Sequence, residues 1–109
     1  MPEWDVEFER SERADGHVLA ITGELDLAVA GRFAQALEQL IEESNGAGLV
    51  DLSRVQFMDS SGIRALLKAK RNAESKGKVL ALLTPSTSCR RVLEISGAWD
   101  EFMIKGDSA

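Results

Sequence analysis

At the start of the chain Trp4, Val6 and Phe8 interleave with Asp5, Glu7 and Glu9, the period-two pattern of a half-buried strand. His17–Leu25 is apolar at most positions and reads as a second strand, more apolar on both faces. Asp15-Gly16 supplies a turn signal, so the two segments predict an antiparallel hairpin. Its connection, Ser11–Gly16, is longer than the tightest turns. After Asp26 the period lengthens. Val29, Phe33, Ala36, Leu37, Leu40 and Ile41 share one helical stripe, Gln35, Glu38, Gln39, Glu42 and Glu43 cover the other side, and Asn45-Gly46 ends the helix. Gly48–Leu52 predicts a short strand, followed by a loop over Ser53–Asp59. Ile63, Leu66, Leu67 and Ala73 line a second helix, which leaves Arg64, Lys68 and Arg71 outside and closes at Gly77. The apolar run Val79–Leu83 predicts a strand covered on both faces. Thr84-Pro85-Ser86 leads into a third helix from Thr87 to Ile95, stopped by Gly97, and Phe102-Met103-Ile104 predicts a last short strand.

The order β-β-α-β-α-β-α-β defines an α/β fold, a mixed sheet of about five strands with helices packed on it. Strand–helix–strand crossovers are right-handed and set successive strands parallel. The loops Gly23–Ala28, Ser53–Ser60 and Thr84–Ser86 therefore emerge at one edge, the carboxyl edge where open sheets of this kind bind ligands and partners. Asp26, Asp59, Ser60 and Ser86 become candidates for one shared surface.

Composition narrows the classes. The 109 residues are 44% hydrophobic with only 2 Pro, enough for one domain over residues 1–109 with its own core and too apolar for a disordered chain. No apolar run approaches the ~18–20 residues of a membrane span. The acidic start, Met1-Pro2-Glu3-Trp4-Asp5, lacks the regions of a signal peptide. The single cysteine, Cys89, cannot form an internal disulfide, which together with that start predicts a cytoplasmic protein. A net charge of −5 argues against direct nucleic-acid binding. His17 has no second His with which to build a metal site. Cys89, beside Arg90-Arg91 that could lower its pKa, lacks a His partner and reads as a packing residue. Gly46-Ala47-Gly48 precedes a strand, the reverse of a dinucleotide-binding arrangement, and Met58 and Gly62 around Ser60 exclude a nucleophile elbow. The expectation is a non-enzyme with no cofactor.

Asp59-Ser60-Ser61-Gly62 stands immediately before the periodic residues of the second helix. One reading is capping, with Asp or Ser accepting from orphan N–H groups of the first turn. The other is a phosphorylation switch. Phosphoserine adds about −1.5 to −2 charges at pH 7, which the positive end of a helix tolerates and an acidic or apolar partner does not. Gly62, without a side chain, would let another backbone approach closely.

Phe57-Met58-Asp59-Ser60-Ser61-Gly62-Ile63, preceded by Gly23-Glu24-Leu25-Asp26 and followed by Ile95-Ser96-Gly97, resembles the STAS-domain anti-sigma-factor antagonists from about Val18 to Phe102. The resemblance implies a STAS-like fold and a partner switch. The unphosphorylated antagonist binds an anti-sigma factor that is also a serine kinase and so releases a sigma factor. The kinase ends the interaction by phosphorylating the first Ser after the Asp, and a serine phosphatase restores it. Carried over by position, the acceptor is Ser60, and Asp26, Asp59, Ser60, Ser61 and Gly62 form the partner-binding set. Such domains usually carry a C-terminal helix, which here would be missing or very short, and Leu27-Ala28-Val29 is apolar where relatives are often polar. STAS domains also serve as constitutive scaffold subunits of transport or stress-signalling complexes. A small-ligand or nucleotide sensor at the same edge is a third reading. The acidic Asp5, Glu7 and Glu9 discourage edge pairing, so a monomer or weak dimer is expected.

Overall fold

In the computed structural model, which describes residues 6–106, the alternating stretch forms β1 (Val6–Arg13), paired antiparallel with β2 (Gly16–Leu25). Trp4 and Asp5 lie outside the described residues. The hairpin is tighter than expected: Ser11 and Glu12 pair with Val18 and His17, and only Ala14 and Asp15 make the turn. The polar run Ser11–Arg13 has no buried face to mark it as strand. Its turn is instead fixed by Arg13, whose guanidinium grips Asp15 at 3.0 and 3.1 Å.

A 3-10 turn (Leu27–Val29) leads into α1 (Ala30–Glu43), β3 (Ala47–Met58), α2 (Ser60–Ser75), β4 (Val79–Leu83), α3 (Thr87–Ser96), a second 3-10 turn (Trp99–Glu101) and β5 (Met103–Lys105). The five strands lie in sequence order, with every pair after the first parallel. This is the mixed sheet predicted from the element order, with three helices on it. The third helix falls where expected, and Gly97 ends it in the left-handed conformation at φ 82°. The last strand is shifted by one residue, because Phe102 is buried beneath it.

Ser53–Asp59 is not a loop, since β3 runs on to Met58. Two bulges in the β2–β3 ladder, between Ala20 and Thr22 and between Gly23 and Glu24, shift the register. Buried residues in this stretch therefore fall at Leu52, Val55 and Met58, every third position, and the period-two signature is lost.

One face of the sheet carries the main core. Phe33, Leu37, Leu40 and Ile41 of α1, Leu66 and Ala73 of α2, and Cys89 and Leu93 of α3 pack on Leu19, Ile21, Val50, Leu52, Leu80 and Leu82. The other face has a small cluster, Val18, Leu49, Ala81 and Leu83, that includes no helical residue. Cα partnering places Arg13 and Lys105 on this second face. Asp15 joins them, 3.0 Å from each, and Arg13 also reaches the Gly106 carbonyl at 3.4 Å. An ionic clasp thus ties the hairpin tip to β5, and its aliphatic stems border apolar surface.

Candidate docking and modification site

Leu25 and Met58 are partners at the ends of adjacent parallel strands, so the next residues along each strand, Asp26 and Asp59, come out side by side. The Asp59 N–H donates to the Leu25 carbonyl at 3.1 Å and locks the two strand ends together. Each aspartate then caps the helical turn after it. Asp26 Oδ1 accepts from the Ala28 N–H at 3.1 Å, and Asp59 Oδ1 accepts from the Ser61 N–H at 2.9 Å. Both have the extended backbone that suits a helix cap.

The three residues after Asp59 face different ways. Ser60, the first residue of α2, is exposed, and no hydrogen bond engages its hydroxyl among the described residues. Ser61 is buried and donates its hydroxyl to Asp59 Oδ1 in a short bond. Gly62 is buried too. A Cβ there would lie 2.7 Å from Met58 Cγ and 3.3 Å from the Leu25 carbonyl oxygen. The close approach expected at Gly62 is therefore made inside the chain, by Met58 and β2, and the glycine is required for packing. The cap is thus carried by Asp59 with Ser61, and Ser60 is left exposed.

The Ser61 hydroxyl, more than any other group, holds the Asp59 carboxyl below its ordinary 3.8; the N–H groups of Ser61, Gly62 and Leu27 add to this against partial burial. The rim therefore keeps an anion beside Ser60 at neutral pH. Two apolar side chains stand out around it: Leu27 is 75% exposed and Phe57 48% exposed. Phe57 borders a groove of about 420 Å³ between the end of β3 and α3, which Arg91 also lines. Sequence reasoning does not reach either residue as part of the site. For Leu27 the available signal is an apolar residue directly after a cap, where no core neighbour is due; Phe57 comes before its cap, inside β3, and carries no such signal.

Ser86 does not share this rim. Leu83 pairs with Asp51, well short of Met58, so β4 hands over lower down. The Ser86 hydroxyl donates to the Val55 carbonyl at 2.7 Å and accepts from the Cys89 N–H at 3.2 Å. Cys89 is fully buried, and burial pushes its thiol up, contrary to a lowering by its arginine neighbours. Arg90 is turned to Glu94 at 3.0 Å and to the Trp99 ring at 4.7 Å. His17 Nδ1 lies 3.8 Å from Glu12. Among the described residues no group of three His, Cys, Asp or Glu side chains could hold a metal ion, and no helix is long and apolar enough to cross a membrane.

A family model described as "Mlab, STAS domain" matches residues 8–105. The chain belongs to the STAS-domain family. Within it, the chain is similar to anti-sigma-factor antagonists. It is 28% identical to the anti-sigma-B factor antagonist of Listeria monocytogenes over 102 residues, 93% of this chain and 90% of that protein. The crystal structure of an anti-sigma factor antagonist from Mycobacterium paratuberculosis superposes with a TM-score of 0.83 at 22% identity, covering 95% of this chain and 87% of that one. Unphosphorylated SpoIIAA, an anti-sigma factor antagonist, gives 0.74 at 25% identity, covering 93% and 90%. Its phosphorylated form, described as a Bacillus cell fate determinant, gives 0.65 at the same identity, covering 93% of each chain.

Proposed function

We propose that the protein is an anti-sigma-factor antagonist that binds an anti-sigma factor with serine-kinase activity when unphosphorylated, and is switched off by phosphorylation at Ser60. The observation that carries this reading is the disposition of one tetrapeptide. Asp59, Ser61 and Gly62 are taken up by the fold, while Ser60 stands exposed and unengaged on a capped helix start. A similar protein, SpoIIAA, exists in unphosphorylated and phosphorylated forms. Asp26 and Leu27, after the neighbouring strand end, and Phe57, near the end of β3, supply charge and exposed apolar area for a partner.

No catalytic group is required of this chain, whose hydroxyl is the substrate. The Ser60 oxygen attacks the γ-phosphorus of ATP held by the kinase, an O–P bond forms as the bond to ADP breaks, and the proton passes to the kinase's base. A serine phosphatase reverses the change by hydrolysis. An ordinary interface buries ~1,600 Å², and an unpaired charge at its centre costs about 3–5 kcal/mol. At about 1.4 kcal/mol per decade, one phosphate weakens binding by two decades or more.

The test is incubation with ATP and the cognate kinase, followed by mass-spectrometric mapping. Phosphate on Ser60 is the expected result; modification confined to other sites overturns it. Ser60→Ala is expected to keep partner affinity, and Ser60→Asp to weaken it at least about tenfold. Equal affinities would mean that charge at Ser60 does not control docking and would favour a constitutive scaffold.

A further inference from the structure

Ser60 heads one side of α2, and the residue one helical turn further on is Arg64. We propose that Arg64 is the intramolecular receptor for the phosphate on Ser60, pairing with it in the phosphorylated protein. The proposal rests on the reading of Ser60 as acceptor and adds what becomes of the charge once it is there.

Three observations carry it. First, Arg64 is exposed, and no carboxylate, ring or carbonyl engages it among the described residues. On the same helix Lys70 is occupied, paired with Glu74 at 2.8 Å. Second, the spacing is right. Four residues rise about 6 Å along a helix and return to the same side. Helical side chains lean toward the N-terminus, so a long side chain at position 64 covers the turn that begins at Ser60. A guanidinium offers paired N–H donors that match phosphate oxygens. Third, the opposite side is closed to a new anion. Asp59 is held ionised beside Ser60, with Asp26 on the neighbouring strand end. Repulsion from the loop and attraction along the helix both direct the phosphate to Arg64. Lys68, a turn beyond, is also unengaged but stands about 12 Å along the axis, out of direct reach.

The experiment uses the full chain with phosphoserine installed at position 60 by genetic encoding and follows the phosphate by ³¹P NMR across pH. Arg64→Gln is expected to raise the second phosphate pKa by about 0.5 units at low salt, roughly a threefold change in proton affinity. Arg64→Lys should recover part of the shift, and Lys68→Gln should leave the parent value unchanged. Coincident titrations of the parent and Arg64→Gln overturn the pairing, as do equal shifts in Arg64→Gln and Lys68→Gln, which would report only a diffuse field. Because the phosphate is installed and not enzymatic, this result is independent of whether a kinase selects Ser60, which the mapping experiment decides.

Discussion

Two junctions where a parallel strand hands over to a helix use closely related residues and end differently. At β3–α2 the cap is Asp59, followed by Ser60, Ser61 and Gly62; at β4–α3 it is Ser86, followed by Thr87, Ser88 and Cys89. Each cap accepts a backbone N–H of the first turn, and each helix buries its third residue. They differ in what the cap leaves over. Ser86 is neutral, and its hydroxyl is fully used on Val55 and Cys89. Asp59 is charged and takes up the Ser61 hydroxyl as well. A carboxylate cap therefore settles its neighbour, stays anionic, and leaves Ser60 as the free hydroxyl on the rim shared with Asp26. Thr87 and Ser88 are exposed too and line the groove beside Phe57, but they come after a neutral cap. Exposure alone does not distinguish the junctions; cap charge does.

The largest break in this comparison is expected at the third helical position. Gly62→Val forces side-chain carbon into Met58 and toward the Leu25 carbonyl, with a cost toward the upper end of about 1–3 kcal/mol. At roughly 4–8 °C per kcal/mol, that lowers the melting temperature by on the order of 10 °C or more. Cys89→Ala, the matching change in α3, removes only a sulfur from the core and costs about 1 kcal/mol. Urea unfolding of both variants checks the ranking. Equal losses would mean that the two junctions are packed alike.

Next comes the cap that the fold uses completely. Ser86→Ala removes the acceptor for the Cys89 N–H and leaves the Val55 carbonyl without its donor, costing about 1–2 kcal/mol. Because Ser86 stands below the rim, phosphorylation of Ser60 by the cognate kinase is expected to proceed at the parent rate at temperatures where the variant is folded. A large fall in that rate would join the two junctions into one functional surface.

How much of this was legible in the sequence depends on the range of the interactions. The cap at Asp59 acts within three residues, so residue type and the onset of helical periodicity brought it among the capping candidates, while Ser86 was reached only as a lead-in to the third helix and a surface candidate. Asp26 and Asp59 were placed at one edge by the handedness of crossovers. The reason for Gly62 lies in Met58 and Leu25, a contact made only when β2 and β3 are paired in a bulged register, and those same bulges concealed the outer half of β3. The second bond of Ser86 reaches a carbonyl 31 positions away. Which of Ser60 and Ser61 faces solvent also needed coordinates: successive helical residues turn by about 100°, so an error of one residue in the helix start exchanges them.

The smallest effect at neutral pH, and the sharpest test of cap charge, is Asp59→Asn. Asparagine caps about as well as aspartate, so at pH 7 the cost is expected to stay under about 1 kcal/mol. The difference appears in acid. The Asp59 carboxyl is held below 3.8, chiefly by the Ser61 hydroxyl, so between its folded and unfolded values the unfolded chain binds more protons. Its contribution is complete above 3.8 and is lost as pH falls through the folded value. Asparagine has no such proton to bind, so the stability gap between parent and variant should narrow as pH drops from about 5 to 3. Asp15, lowered by Lys105 and Arg13, titrates in the same window but is present in both proteins and cancels. The corresponding gap for Ser86→Ala should not move with pH, because its hydroxyl does not titrate there. Parallel acid limbs for Asp59→Asn and the parent, measured by urea unfolding, would mean that the fold does not favour the Asp59 carboxylate over its protonated form. The charge of this cap would then add nothing to stability, and the β3–α2 junction would be held no differently from its neutral neighbour.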